Sequence, residues 1–164
     1  IVVMIVMGLN QGMQPIAGYN FGAKLYGRVN KVLKLTIIYA TAVTTFGFLV
    51  GMLVPDLVVG IFTSDAELTE LSVTGLRITV MFFPIIGFQM VTSNFFQSIG
   101  MAGKAIFLSL TRQMLILLPC LLILPQFFGV AGVWYSMPVS DLLASLIALV
   151  MLVCQFRKFR TSPL

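Results

Sequence analysis

Apolar residues run in long blocks along this chain, and the few charges fall between them. Residues 35–55, 78–103 and 113–140 contain no Asp, Glu, Lys or Arg, and each run exceeds the ~18 residues of a membrane-crossing helix. The pattern predicts spans at about 33–54, 72–99, 106–127 and 131–156, preceded by a shorter apolar helix over 1–18. That opening run, IVVMIVMGLNQGMQPIAG, has no charged segment before it and no small-residue cleavage site after it. It predicts a helix entered part-way, and with it the C-terminal part of a longer protein. The expected fold class is an all-α integral membrane protein, a polytopic helical bundle.

Composition supports that expectation. Charged residues make up 9% of the 164 residues, and mean hydropathy is +1.07. A soluble domain carries about 25% charged residues to meet water over its whole surface. The net charge of +5 does not predict a nucleic-acid partner, because the cations sit in short connections between apolar runs rather than along one face. Membrane lipid is the expected surrounding. Cys120 and Cys154 lie inside apolar runs and are read as small core residues. The absence of His removes the commonest metal ligand and general base.

The connections alternate in sign. Lys24, Arg28, Lys31 and Lys34 crowd the first, and Asp56, Asp65, Glu67 and Glu70 dominate the second. Lys104 and Arg112 bracket the third, the fourth is neutral, and Arg157, Lys158 and Arg160 form the tail. Cations favour the cytoplasmic side, which predicts cytoplasmic first and third connections and a cytoplasmic C-terminus. RVNKVLK reads as a short amphipathic helix lying at the interface. Ser64 or Asp65 should cap the helix that follows the acidic connection, and LVVGIF is too short to span.

Polar residues and prolines inside the spans carry the functional information. Gln89, Ser93 and Gln97 recur every four residues and share a helix face, with Asn94 beside it. They suit either a polar cavity wall or hydrogen bonds between helices. Gln14 lies one turn inside the end of the first helix, where an amide could serve the mouth of a cavity. Pro84, Pro119 and Pro138 should kink their helices. Asp141 is the sharpest single residue. The remainder after it, residues 142–156, would span only ~22 Å of a ~30 Å core. Starting the helix near Val130 places Asp141 near the middle and Trp134 and Tyr135 at the interface. A carboxylate at that depth costs about 2.5–3.5 kcal/mol and usually binds a proton or ion or faces a cavity. The alternative is a structural acid bonded to a neighbouring helix or to Arg112.

Enzyme signatures fail. QSIGMAGKA lacks phosphate-loop spacing, no Ser or Cys has a His partner, and no second acid pairs with Asp141 inside a span. No enzyme activity, cofactor or metal is expected.

GLNQGMQPIAGYNFGAKLYGRVNKVLK resembles the end of helix eight and the next loop of multidrug and toxic compound extrusion (MATE) transporters. NFFQSIGMAGKA resembles the end of helix ten, and GVAGVWYSMPVSDLL resembles the last loop and helix twelve. The resemblance implies helices eight to twelve of a twelve-helix protein, part of its C-terminal six-helix lobe facing an N-terminal lobe outside this sequence. It also implies a bacterial inner membrane and export of cationic, lipophilic compounds driven by inward H⁺ or Na⁺. Some members carry a coupling acid in helix ten; here Gln89, Asn94 and Gln97 occupy that helix, which leaves coupling to Asp141 or to acids of the other lobe. Two alternatives stay open: a lipid-linked glycan flippase of the same superfamily, which would need cationic residues in its cavity where these spans are expected to offer none, and a membrane scaffold without transport.

Overall fold

The computed structural model describes residues 1–62 and 65–161, and all of their side chains except those of 66, 67 and 158–161. Among these residues every regular element is helical. The order is α1 (Val2–Gly22), α2 (Tyr26–Leu53), α3 (Pro55–Gly60), α4 (Ala66–Val80), α5 (Phe83–Ser98), α6 (Ala102–Leu110), a π-helical turn (Thr111–Leu117), α7 (Leu118–Phe128) and α8 (Val130–Thr161). Three stretches are long and apolar enough to cross a membrane: Tyr26–Leu53, Ala102–Phe128 and Val130–Arg157. The bent pair α4–α5 makes a fourth if counted as one span. The chain is an all-α membrane bundle.

Short connections force the helices to run up and down. Ala23 to Leu25 join α1 to α2, and Ile99 to Met101 join α5 to α6. Lys24 takes the left-handed backbone (φ 59°) that lets the first of these turn so sharply. The cations Lys24, Arg28, Lys31, Lys34, Lys104 and Arg157 therefore gather at one end of the bundle. Asp56, Asp65 and Glu70 lie at the other, with Trp134 against Gly75.

Several expectations need correction. RVNKVLK is not a separate interfacial helix but the opening turns of α2. Val29, Leu33, Thr36 and Ala40 form one buried stripe that continues into the span, and the three-residue connection leaves no room for a second helix. At 28 residues α2 is ~42 Å long, so its charged start projects beyond a ~30 Å core. The 72–99 stretch is not one helix. It breaks at Met81 and Phe82, and the two halves meet at 50°. Pro84 lies in the first turn of α5, where its missing N–H costs nothing, and the break falls at the two residues before α5 begins at Phe83. It starts a helix rather than kinking one. Arg112 lies ten residues inside one continuous helical rod from Ala102 to Phe128, deeper than the six that the span expected over 106–127 gives it. Cys120 is half-buried and Cys154 exposed, so neither belongs to the core.

Pro119 explains the π turn. A proline ring collides with the carbonyl four residues before it, here that of Leu115, and the ladder widens over Thr111–Leu117. Pro138, by contrast, is carried inside an unbroken α8. At the acidic end Asp65 caps α4, its Oδ1 accepting from the Leu68 amide at 3.3 Å; Ser64 lies outside the described residues.

The core joins Val6, Met13 and Ala17 of α1, Leu33 and Ala40 of α2, Phe95 and Phe96 of α5, and Leu108 of α6. Small residues let the backbones approach, as lipid-bathed helices require. A Cβ on Gly18 would stand 2.8 Å from the Ser98 carbonyl oxygen of α5, whereas one on Gly22 would meet nothing within 4 Å. The packing face of α1 therefore uses the first glycine and not the second. α8 buries Ser136, Ser140, Ala144, Ser145 and Ala148 in the same manner.

Candidate functional site

α1 and α5 cross where Gln14 Nε2 donates to Asn94 Oδ1 at 3.2 Å. Asn94 in turn donates from Nδ2 to the Met90 carbonyl at 2.9 Å, which fixes the amide's orientation. On the neighbouring face, Ser93 stands 3.3 Å from the Ala105 carbonyl and 3.3 Å from the Ser109 hydroxyl of α6. Ser93, Asn94, Gln97 and Ser109 line a cleft of about 340 Å³ between α5 and α6. The four-residue spacing thus brings Ser93 and Gln97 to one cleft with Asn94. Gln89 does not join them. It is 4% exposed and faces the packed interior, because the face that opens at Ser93 is covered one turn earlier.

Asp141 lies near the middle of α8, eleven residues or ~16 Å from Val130. Its side chain is 5% exposed and accepts a hydrogen bond from Arg112 Nε at 2.7 Å. Arg112 sits ten residues, ~15 Å, inside its own rod and is 30% exposed. Two opposite charges therefore meet near mid-span, each placed there by local sequence. The π turn begins at Thr111, directly beside the arginine, and Ser145 Oγ donates to the Asp141 carbonyl at 2.6 Å. Bare charges at that depth are costly; pairing and hydrogen bonding offset the cost. Of the three prolines, Pro119 adjoins this pair through the π turn and Pro138 precedes Asp141 by one turn, while Pro84 lies at the other break.

The MatE family model matches residues 1–123. The chain belongs to the MatE family. It is 37% identical to the MATE multidrug transporter DinF-BH; the match covers 98% of this chain and 36% of that one, with a TM-score of 0.90. The multidrug export protein MepA of Staphylococcus aureus is 27% identical over 146 residues, 89% of this chain and 32% of MepA. An inward-facing MATE transporter shares the fold, with a TM-score of 0.90 at 20% identity over 99% of this chain and 38% of its own. The chain spans about a third of the length of these relatives.

Within this MatE chain the structure adds polar residues that sequence reasoning passed over. Asn10 is 2% exposed, and among the described residues neither its Oδ1 nor its Nδ2 has a partner. Thr111 Oγ1 is likewise buried and unpaired. The one available signal was a polar residue recurring on the buried face of a helix. Asn10 stands four residues from Val6 and three from Met13, both of which are core. Orphaned amides cost about 1–3 kcal/mol, so Asn10 is a second candidate for polar chemistry.

Proposed function

We propose that the full-length protein is a secondary active transporter that exports cationic, lipophilic compounds in exchange for inward H⁺ or Na⁺. The observation that carries this reading is the Arg112–Asp141 pair at mid-span in a chain of the MatE family. An ion that takes Asp141 leaves Arg112 without its partner. The partly exposed arginine and the π turn beside it then favour a different arrangement of the rod against α8. That differential stability is what a coupling ion needs in order to shift a two-state equilibrium. The cleft lined by Ser93, Asn94 and Gln97 supplies neutral acceptors for a cation, and Gln14 tethers it to α1. Gln89 acts between helices. The cation-rich end, including the C-terminus, faces the cytoplasm of a bacterial inner membrane.

The scaffold and flippase alternatives predict different behaviour. A flippase needs cations in its spans; Arg112 and Arg77 do lie within helices, but Arg112 is neutralised by Asp141. The deciding experiment uses the full-length protein in vesicles, with a cationic dye and an imposed H⁺ or Na⁺ gradient. Gradient-driven dye movement that Asp141→Asn abolishes, with folding intact, is the expected result. Absence of dye movement in the wild type overturns the transporter reading, and unchanged movement in Asp141→Asn removes the pair from coupling.

A further inference from the structure

A groove of about 500 Å³ opens between the start of α2 and the end of α8. Asn30, Leu33, Lys34, Ile37 and Ile38 line it from α2, and Phe156 closes it from α8. It is not used by the polar cleft or by the mid-span ion pair. Its deep wall is aliphatic and aromatic, and its upper rim carries an amide and an ammonium. From Asn30 to Ile38 it covers ~12 Å of helix axis, running from the charged end of the bundle into the span. Leu35 and Tyr39, on the outer side of the same stretch, are exposed, as is Ile38 at the groove's edge.

Charge decides what this shape accepts. Arg28, Lys31 and Lys34 recur every three residues along the first turns of α2 and are all exposed. Among the described residues no carboxylate lies at this end: Asp56, Asp65 and Glu70 are at the opposite end and Asp141 is at mid-span. These three exposed cations face no carboxylate among the described residues and leave a net positive rim. A chain-shaped apolar trough beneath a cationic rim matches one occupant of a bilayer: a phospholipid with an anionic headgroup. We propose that this groove is a binding site for an anionic phospholipid, with one acyl chain against Leu33, Ile37 and Phe156 and the phosphate between Asn30 and Lys34. The site would anchor the α2 start to the α8 end, and it does not depend on the transport reading.

The test is native mass spectrometry of the full-length protein released from nanodiscs that contain equal phosphatidylglycerol and phosphatidylcholine of the same chains. Wild type should retain phosphatidylglycerol over phosphatidylcholine by about fivefold for each engaged cation, falling as salt rises. Lys34→Gln should lower that preference about fivefold, and Ile38→Trp, which fills the trough, should lower retention of both lipids. In a background stripped of its other cysteines, Cys120 and Cys154 included, a bilayer-soluble maleimide should label Ile38→Cys. Equal retention of the two lipids by wild type, or an unchanged preference in Lys34→Gln, overturns the proposal. So does an unlabelled Ile38→Cys, since another segment of the full-length chain would then cover the groove.

Discussion

Arg112 and Asp141 hold each other at 2.7 Å from two different helices, both about 15 Å from the nearest helix end. Asp141 is buried and Arg112 only partly exposed, so the contact joins the Ala102–Phe128 rod to α8 with less solvent screening than a surface pair has. Removing one partner leaves the other uncompensated. Arg112→Leu should cost about 3 kcal/mol, at the low end for a buried pair because the arginine is partly exposed. Asp141→Asn, which can still accept from Arg112 Nε, should cost less. The double variant Arg112→Leu/Asp141→Leu should recover much of the loss. Thermal unfolding of the purified full-length protein reads all three, and simple additivity would show that the pair is not coupled.

The Gln14–Asn94 contact should behave as a modest cross-helix bond. Interhelical hydrogen bonds in membranes average ~0.6 kcal/mol, so Gln14→Ala and Asn94→Ala should each lower stability slightly. Their combination should fall short of the sum by about that amount in a double-mutant cycle. A coupling energy of zero would mean that the two amides meet without stabilising the crossing.

Gly18 and Gly22 separate packing from helix propensity. Gly18→Ala places a methyl group 2.8 Å from the Ser98 carbonyl oxygen and should cost about 1–3 kcal/mol through forced backbone shifts. Gly22→Ala meets nothing within 4 Å and should be neutral or gain up to about 1 kcal/mol. Unfolding midpoints of the two variants in the same detergent decide the matter, and equal effects would contradict the α1–α5 geometry.

Asn10 offers a different contrast. Because its amide has no partner, Asn10→Ala removes an orphaned group worth about 1–3 kcal/mol of penalty and adds a small cavity. Stability should therefore change little. If the amide serves a transient ion or water during transport, ion-driven dye movement should fall roughly tenfold, a shift of about 1.4 kcal/mol. A drop in stability with transport unchanged would assign Asn10 to packing alone.

Much of the bundle was legible because charge in a membrane protein is confined by solvation. Charge-free runs located the spans, and the arithmetic of helix rise placed Asp141 near mid-span before any neighbour was known. Arg112 was harder. Lying near Lys104 in sequence, it groups with the cytoplasmic cations although the span expected over 106–127 contains it and it is one candidate partner of Asp141; the helix running from Ala102 to Phe128 puts it deeper still. The break at Met81 and Phe82 left no hydropathy signal, since both flanks are apolar; the preference of proline for the first turn of a helix was the usable clue. The four-residue stripe correctly united Ser93 with Gln97. Gln89 departs from it because burial depends on which helix lies opposite, a property of the tertiary arrangement that periodicity does not contain. The π turn follows from Pro119, yet a proline in an apolar run is equally compatible with a simple kink.

A single residue, Gly129 at φ 58°, joins the rod ending at Phe128 to α8. Nothing charged lies between Gln113 and Ser140, so no polar connection has to be carried across the bilayer when these helices are made. These two spans can therefore enter the membrane together as one hairpin. Until the second half of that hairpin has emerged, Arg112 must wait for Asp141, which makes biogenesis of this helix pair a two-helix event.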